Sequence, residues 1–455
     1  MTVSALIVAG LLVLWMGLTY VTLAGVVPYL QRVLAGSYSV EVTLVGVGGS
    51  LVGGLAGSLP VALAFAAVAV VAGIPVLRVW RAPDVLGALG WPPRPRGETG
   101  PHVLRRPWGL RLPGVPAARV QKDVVFATPP GSPRPLLCDL WEPPVGVPPS
   151  GLAFIYLHGS AWMVLDKDLG TRPLFGRLAA QGHVIMDVAY RLYPETNIEG
   201  MVGDVRRSIV WMKAHGEALG VKQDRIVVGG GSAGAHLALL TAYTEGHPEL
   251  TPPDLYSTSA DGLERLRTDT SVRGVLAWYG PVDLRACYAH FHNDTMAAKQ
   301  PVQPDWDAPP SSLMLRLMGP TARRLGFQKF GNTGRLDWIL EGSPEQVPER
   351  YALLSPISHV HADCPPTLLM QGTFDIIVPQ SAAEALRDRM GQAGAQMALL
   401  LLPGIDHAFD LFGTRWSPSA RKSIWHAERF LALMARSPGA VPGEQAEHAS
   451  PTAAP

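Results

Sequence analysis

The first 77 residues of the chain contain only two charged side chains, Arg32 and Glu41. They include two uncharged runs, 3–30 and 42–77, and each is longer than the roughly 20 residues that a helix needs to cross a bilayer. The rest of the 455 residues carries nearly all of the 38 basic and 37 acidic side chains. This division predicts a membrane-embedded front and a soluble remainder.

A cleaved signal peptide has a positively charged start and an apolar core of only about 7–15 residues. The first run has neither feature, so we predict a membrane anchor over 1–80, with transmembrane helices at about 3–27 and 52–77. Because the second run is long for one upright helix and short for two, three helices stay open as an alternative.

Arginines mark the side of the membrane on which the remainder lies. Six of them follow the second run: Arg78, Arg81, Arg94, Arg96, Arg105 and Arg106. Positively charged flanks stay in the cytoplasm, so we predict that the large C-terminal part is cytoplasmic. Lys is scarce relative to Arg, which is typical of a GC-rich bacterial genome, so the membrane is predicted to be a bacterial inner membrane. With two helices, the N-terminus lies on that same side; with three, it lies on the other.

Three glycines in the second run, Gly49, Gly53 and Gly57, are spaced four residues apart. This spacing puts them on one helix face, where another helix backbone can approach closely. The pattern predicts helix packing, either within the chain or between two copies in a homo-oligomer.

The remaining boundaries follow from composition. Residues 81–119 are rich in Pro, Gly and Arg, which predicts an extended linker lying on anionic headgroups. Residues 437–455 have little to bury and are predicted to be disordered. A net charge of +1 gives no electrostatic footprint for a nucleic-acid partner, and three cysteines make no disulfide framework.

Residues 120–436 have the length of one α/β domain. Short apolar runs such as 152–158, 183–190 and 225–231 alternate with helical segments, which predicts a mostly parallel sheet with helices on both faces. A hairpin is predicted where 123–127 and 136–141 flank a Pro-Gly turn. A stretch at about 285–350 breaks the alternation and is predicted to be a lid or substrate-binding insert; its apolar positions include Trp306, Pro309, Pro310, Met314, Met318 and Trp338.

Residues 230–234 form a G-x-S-x-G motif centred on Ser232. An apolar strand leads into the motif and a helical segment leads out of it, as the sharp turn of a nucleophile elbow requires. That turn exposes the serine hydroxyl at a helix N-terminus, where developing negative charge is stabilised. The pattern predicts that Ser232 is a nucleophile.

A serine of ordinary pKa needs a base, and the base needs an orienting acid. Asp375 and His407 each follow a predicted strand, in the chain order Ser, Asp, His that is typical of α/β hydrolases. We therefore predict His407 as base and Asp375 as acid. Asp406 and Asp410 are the rivals for the acid, and Asp283 is interpreted as structural.

The loop 158–162, His-Gly-Ser-Ala-Trp, follows another strand. We predict that the N–H groups of Gly159 and Ser160, together with that of Ala233, form an oxyanion hole. His158 and Trp162 are predicted to contact substrate. The sequence HVHADC at 359–364 imitates a metal cluster but lacks a fourth partner, so neither a metal nor a cofactor is predicted.

These motifs resemble the α/β-hydrolase fold, in the branch of hormone-sensitive-lipase-like and feruloyl-esterase-like carboxylesterases. The resemblance covers most of 120–412 and is carried by YLHGSAW, AYRLYPE, the segment 203–239, the segment 354–379 and DHAF. It implies Ser232, Asp375 and His407 as the triad and oxyanion donors around Gly159. The family usually has HGGG or HGGxW where this chain has Ser160 and Ala161, and we expect Ser160 to narrow the hole or add a donor.

The predicted function is that of a membrane-anchored serine carboxylesterase or lipase-like enzyme acting on a small-molecule or lipid ester. An amidase or peptidase of the same fold stays open, because the HGxxW form also occurs in enzymes that cleave kynurenine-type amides. The HGxxW form occurs as well in isoprenylcysteine methylesterases, whose membrane anchors the N-terminal helices resemble. A non-catalytic membrane scaffold is the third alternative.

Overall fold

The computed structural model describes residues 2–20, 26–90, 102–258, 265–294, 336–411 and 413–436. Most of the predicted lid, including Trp306, Pro309, Pro310, Met314 and Met318, lies outside the described residues, as does the predicted disordered tail. Within the described part of the insert, Trp338 is half-buried and packs against the core.

Within the described residues, four α-helices precede the α/β domain: α1 Thr2–Gly17, α2 Val26–Ser37, α3 Ser39–Leu55 and α4 Leu59–Arg81. In this part of the chain, two stretches are long and apolar enough to cross a membrane, Thr2–Tyr20 and Leu59–Leu89. A third is added if Gln31–Ser37 and Ser39–Leu55, which meet at a bend of 63°, count as one span.

The second apolar run forms a helical hairpin, whereas we predict a single helix at 52–77. Its turn contains Gly57 in the left-handed region, at a φ of +69°. Pro60 then lies in the first turn of α4, where its missing N–H costs no hydrogen bond. Apolar composition hides such a break, because both arms of the hairpin are equally uncharged.

The small-residue face is occupied within the chain. A Cβ at Gly46 or Gly49 would overlap Ala69 or Phe65 of α4, and one at Gly53 would lie 2.7 Å from the nitrogen of Ala62. The prediction of a homo-oligomer through Gly49, Gly53 and Gly57 is therefore wrong for the first two, which are covered by α4. Gly57 belongs to the turn, where a Cβ would meet nothing within 4 Å.

The long helices α1 and α4 run in the same direction. Tyr20, just beyond α1, lines a cavity together with Arg78 near the end of α4 and with Asp406 of the α/β domain. Both helices therefore end at the α/β domain, and α3 runs away from it before α4 returns. This order differs from the two-helix prediction, which places the N-terminus on the same side as the domain.

The α/β domain is built on an eight-stranded sheet in the order β1-β2-β4-β3-β5-β8-β9-β10. The strands β1 and β2 form the predicted antiparallel hairpin, β2 and β4 are also antiparallel, and all other neighbours in this sheet are parallel. A separate antiparallel pair is formed by β6 and β7. The strand bounds are β1 Arg119–Ala127, β2 Leu136–Glu142, β3 Ala153–Leu157, β4 Val184–Ala189, β5 Ile226–Gly231, β6 Tyr256–Thr258, β7 Arg265–Arg267, β8 Gly274–Trp278, β9 Thr367–Gly372 and β10 Met397–Leu402.

Helices cover both faces of the sheet, as predicted. Alternate residues of β3 point to opposite faces, since Ile155 packs in one buried cluster and Tyr156 in the other. The helix bounds are α5 Arg172–Ala179, α6 Ile198–His215, α7 Ala233–Tyr243, α8 Leu284–Asp294, α9 Leu336–Ile339, α10 Pro348–Leu353, α11 Gln380–Ala393 and α12 Pro418–Met434. The first cluster includes residues of α6, α7 and α11, and the second includes residues of α5 and α12.

Much of the predicted linker is bound to the domain, which differs from the extended chain that we predict for 81–119. Leu104 is buried, and its N–H donates to Glu428 of α12 at 2.7 Å while its carbonyl accepts from Arg429 at 2.8 Å. Leu112 is also buried and its N–H donates to the carbonyl of Arg415. Two isolated leucines among prolines and arginines give no periodic signal, although they are enough to fix this segment to the domain.

Candidate active site

Ser232 lies in the sharp turn between β5 and α7, with φ +53° and ψ −122°. This strained conformation is held because the N–H of Ser232 donates to the carbonyl of Trp278 at 2.9 Å. A Cβ at either Gly230 or Gly234 would overlap the carbonyl oxygen of Leu157 on β3. The two glycines of the motif therefore let the turn approach the neighbouring strand.

The structure brings the three predicted triad side chains together. The Nε2 of His407 lies 2.9 Å from the Oγ of Ser232, and the Nδ1 of His407 lies 2.8 Å from the Oδ2 of Asp375. These residues follow β5, β9 and β10, whose carboxyl ends lie along one edge of the sheet. The side chain of Asp375 is fully buried, and that of His407 is 6% exposed.

Asp375 is fixed by three further donors. Its Oδ1 accepts from the N–H groups of Ile377 and Val378 at 2.9 and 2.8 Å, and its Oδ2 accepts from the side-chain amide of Gln371 at 2.8 Å. These donors fix the carboxylate in the orientation in which its Oδ2 holds the His407 ring.

The rival acids have other partners. Asp406 pairs with Arg32 and accepts from backbone N–H groups, and Asp410 accepts from the hydroxyl of Tyr279. Burial raises the pKa of Asp410 to about 6, against the lowering effect of the Tyr279 hydrogen bond. Asp283 accepts from the N–H of Ala286 at the start of α8, in keeping with its structural interpretation.

The Tyr279 ring forms one wall beside the base. The centroid of this ring lies 4.4 Å from that of the His407 ring. The backbone N–H of Tyr279 donates to the carbonyl of Met370. The hydrogen bond to Asp410 fixes the other end of the ring. Tyr279 therefore restricts the orientations that the imidazole can adopt.

The side chain of Ser160 is held within the loop 158–162. Its Oγ lies 2.6 Å from the hydroxyl of Tyr190 and accepts from the N–H of Trp162 at 2.9 Å. Tyr190 donates its one hydroxyl proton to the carbonyl of His158 at 2.8 Å, so the proton between the two hydroxyls comes from Ser160. The Ser160 hydroxyl therefore already donates its proton to Tyr190, and it does not supply the additional oxyanion donor that we expect from Ser160.

The structure shows His158 and Trp162 in contacts within the protein, and their contact with substrate stays a prediction. The His158 ring stacks on Tyr190 with centroids 4.5 Å apart, and burial lowers its pKa to about 4. The indole N–H of Trp162 donates to Nδ1 of His236 at 3.2 Å. Both rings are buried, so they shape the loop from behind.

The predicted oxyanion donors belong to two segments that meet at the nucleophile. A Cβ at Gly159 would lie 3.4 Å from the Cβ of Ser232, so the loop passes directly beside it. Ala233 is the first residue of α7, and an N–H at that position has no acceptor within its helix.

The histidine-rich stretch 359–364 has ordinary structural contacts. The Nε2 of His359 lies 2.7 Å from the carbonyl of Leu353, and the Sγ of Cys364 accepts from the N–H of His361. Among the residues that the structure describes, no three His, Cys, Asp or Glu side chains are grouped to hold a metal ion. That the protein needs no metal or cofactor stays a prediction.

Four residues around this site are missing from the sequence-based prediction: Arg32, Tyr190, Tyr279 and Gln371. A signal exists for Tyr279, because it follows β8 at the same sheet edge as the triad. Arg32 is an isolated charge in an apolar region, which is itself a signal, although it points only to membrane topology. Tyr190 and Gln371 act through side-chain contacts that no local pattern reveals.

Comparison with known families matches the two halves of the domain separately. The BD-FAE family model matches residues 138–306, and the prolyl oligopeptidase family model matches residues 328–436. Together with the sheet order and the turn at Ser232, these matches identify the fold. The chain has the α/β-hydrolase fold. Each match covers less than half of the chain.

The chain is similar to curated esterases. The probable carboxylic ester hydrolase LipM of Mycobacterium tuberculosis is 27% identical over 296 residues, which is 65% of this chain and 57% of LipM. Esterase LipQ of the same organism is 28% identical over 327 residues, or 70% of this chain and 65% of LipQ. A probable isoprenylcysteine alpha-carbonyl methylesterase of Arabidopsis thaliana is 25% identical over 295 residues, or 64% of this chain and 52% of that protein. The chain spans less than two thirds of the length of these relatives.

Solved structures similar to this chain include esterases. The apo form of Thermogutta terrifontis esterase 2 is 20% identical with a TM-score of 0.47, covering 71% of this chain and 96% of that chain. A truncated carbohydrate esterase from gut microbiota has the same identity and TM-score, covering 71% of this chain and 99% of that chain.

Proposed function

We propose that the protein is a membrane-anchored serine carboxylesterase that cleaves an acyl ester. The observation that carries the proposal is the continuous chain of hydrogen bonds from Ser232 through His407 to Asp375. A non-catalytic scaffold would not need this alignment or the strained backbone at Ser232. The names of the curated relatives LipM and LipQ support ester bonds as the substrate class.

In the proposed mechanism the Oγ of Ser232 attacks the acyl carbon while its proton moves to Nε2 of His407. Asp375 accepts from Nδ1 and stabilises the imidazolium. His407 then gives the proton to the leaving alcohol oxygen, and an acyl ester remains on Ser232. Water attacks that ester, His407 takes the water's proton, and the carboxylic acid leaves as Ser232 regains its hydrogen.

The negative oxygen of each tetrahedral intermediate needs hydrogen-bond donors that are already in place. We assign the backbone N–H groups of Gly159, Ser160 and Ala233 to this role. The network of Ser160, Tyr190 and Trp162 holds the loop in position, so the backbone supplies the donors while the side chain of Ser160 is used for support.

The proposal also places the enzyme at the cytoplasmic face of a bacterial inner membrane. Arg78 and Arg81, in the last turn of α4, lie at the end of the anchor that contacts the hydrolase domain, and positive charge favours the cytoplasm. With α1, α3 and α4 all crossing, the N-terminus lies on the opposite face. A membrane position suits amphiphilic or lipid esters, alongside small-molecule esters.

The test is a series of p-nitrophenyl esters from acetate to palmitate, hydrolysed by the purified full-length protein in detergent. We expect Ser232→Ala to lower kcat by about 10⁶-fold, as loss of a triad nucleophile does. Ser132→Ala, in a surface turn, is the matched control and should retain wild-type rates. Equal turnover by wild type and Ser232→Ala would contradict the proposal.

A second candidate is an amidase or peptidase, which the match of residues 328–436 to the prolyl oligopeptidase family favours. Matched p-nitrophenyl ester and p-nitroanilide substrates with one acyl group separate the two. A strong preference for the ester supports the esterase, and an equal or higher kcat/KM for the anilide supports the amidase.

A further inference from the structure

Arg32 of α2 reaches out of the N-terminal helices to the loop that carries His407. Its Nε lies 2.8 Å from the Oδ2 of Asp406, and the two side chains are only 3% and 1% exposed. The residues are 374 positions apart in the chain. Since a buried ion pair is costly to break by removing one partner, this contact fixes α2 against the domain.

The other oxygen of Asp406 joins the two loops of the site. Its Oδ1 accepts from the N–H of His407 at 2.8 Å and from the N–H of Ile376 at 3.2 Å. Ile376 directly follows Asp375, the partner of the His407 ring. One carboxylate therefore connects the acid loop, the base loop and the anchor.

The end of α2 is also seated on the chain that follows His407. Gly413 has φ +56°, and a Cβ there would lie 3.2 Å from the Cβ of Ser37 and 3.4 Å from the ring of Tyr38. The anchor and the base loop therefore touch over more than the ion pair.

The charges around Asp406 explain why a cation is needed. Burial, and then the charge of Asp375, raise the pKa of Asp406, whereas the N–H of His407 and Arg32 lower it. Without Arg32, two carboxylates would lie close together in a buried region with no positive partner. Asp406 would then take up a proton more easily and accept more weakly from both loops.

We propose that Arg32 is a positioning residue for the triad, so that the membrane anchor completes the active site of this enzyme. Arg32 acts through Asp406, which holds the backbone of His407 and of the Asp375 loop at the distances that proton transfer requires. The inference rests on the proposed function, because it assigns a role in the reaction of Ser232. It also implies that anchoring and catalysis share one structural element.

The test compares full-length Arg32→Met, Arg32→Lys and Arg78→Met, each purified in detergent and recovered as a monodisperse peak. Small misplacements of reacting groups lower rates by up to about 10²-fold, so we expect Arg32→Met to lower kcat by about 10- to 100-fold with little change in KM. Arg32→Lys keeps the charge and should stay within about threefold of wild type. Arg78 lines the same cavity but is exposed, and Arg78→Met should behave as wild type.

A pH profile separates this role from a general loss of folded protein. The groups facing Asp406 are Arg32, Asp375 and the N–H groups of His407 and Ile376, with Arg78 across the cavity. In Arg32→Met the acid limb of kcat/KM should move to higher pH, because Asp406 must lose a proton before it holds both loops. The double variant Arg32→Met/Asp406→Asn removes that titration, and its limb should return to the wild-type position at a lower plateau.

Two results would overturn the inference: kcat of Arg32→Met within twofold of wild type, or equal losses in Arg32→Met and Arg32→Lys with no movement of the acid limb. If Arg32→Met does not fold, the nearly isosteric Asp406→Asn takes its place, and wild-type kcat in that variant overturns it. Ser232→Ala is assayed in parallel. If Ser232→Ala loses activity while Arg32→Met keeps wild-type activity, only the role of Arg32 is overturned. Full activity in Ser232→Ala overturns the proposed function itself.

Discussion

The hydroxyls of Ser160 and Tyr190 lie 2.6 Å apart behind the proposed oxyanion loop, and Tyr190 passes the contact on to the carbonyl of His158. The loop is thus held by side chains at a position where the family that the sequence resembles usually has glycines. Its conformation includes positive φ values at Ala161 and Trp162, of 46° and 62°, which need such support.

We predict that Tyr190→Phe lowers kcat about tenfold and destabilises the protein by about 1–3 kcal/mol, because the buried carbonyl of His158 loses its donor and the buried hydroxyl of Ser160 loses its acceptor. The matched control is Tyr243→Phe, since the Tyr243 hydroxyl is also buried and lies 2.9 Å from that of Thr367, at the far end of β9. Steady-state kinetics and thermal denaturation in detergent measure both variants. Equal effects on kcat in the two variants would show that Tyr190 has no particular role at the loop.

The close approach at Gly234 gives a second prediction. Gly234→Ala should destabilise the protein by about 1–3 kcal/mol, because the new methyl group overlaps the carbonyl of Leu157. The activity should fall as well, since the displaced turn carries Ser232. Gly391→Ala is the control, because a Cβ at this position of α11 would meet nothing within 4 Å. Alanine there should raise the free energy of unfolding by about 0.5–1 kcal/mol. Similar melting temperatures for the two variants would contradict the steric argument.

Asp187 gives a prediction for pH. It faces Asp139 across β4 and β2, and burial raises its pKa to about 8. In the unfolded chain the pKa of an aspartate is about 4, so between pH 4 and 8 the folded state binds more protons than the unfolded state. Stability from this group is therefore fully present below about pH 4 and is lost as the pH rises to about 8.

The side chain of Asn does not titrate in this range. The melting temperature of Asp187→Asn should therefore fall by about 5 °C less between pH 5 and pH 8 than that of wild type. The exposed Asp224→Asn is the control and should follow wild type. Melting curves of Asp187→Asn that run parallel to those of wild type across this range would rule out the raised pKa.

The direction of α1 predicts the position of the N-terminus. A tag placed before Met1 should be digested by protease added to intact spheroplasts, while a tag after Pro455 should be protected. Protection of both tags would return the chain to two crossings, and digestion of both would place the hydrolase domain outside the cytoplasm.

Local patterns predict much of this structure. The residues that flank Ser232 predict the sharp turn between strand and helix. The chain order of Ser232, Asp375 and His407 predicts the triad, and the structure places the His407 ring nitrogens within 3 Å of the Ser232 and Asp375 oxygens. These features depend on neighbours in sequence and on the general rule that parallel strands end at one sheet edge. The parallel sheet and its two helical layers follow from the same alternation of apolar and helical segments.

Contacts over long separations could not be predicted in this way. The ion pair of Arg32 and Asp406 joins residues near the two ends of the chain, and the hydrogen bonds of Leu104 join the linker to α12. The helical break at Gly57 was hidden for another reason, since its uncharged flanks look alike. Tertiary contacts therefore decide how the anchor, the linker and the domain fit together.

The central claim is that Ser232 is activated as a nucleophile by His407. Its most direct test is intact-mass measurement of the full-length protein after treatment with a fluorophosphonate, followed by mapping of the modified peptide. We predict one adduct per chain, located on Ser232, absent from Ser232→Ala and formed at least about 10³-fold more slowly in His407→Ala. Folded wild-type protein that forms no adduct, or Ser232→Ala that is labelled as fast as wild type, would contradict the claim.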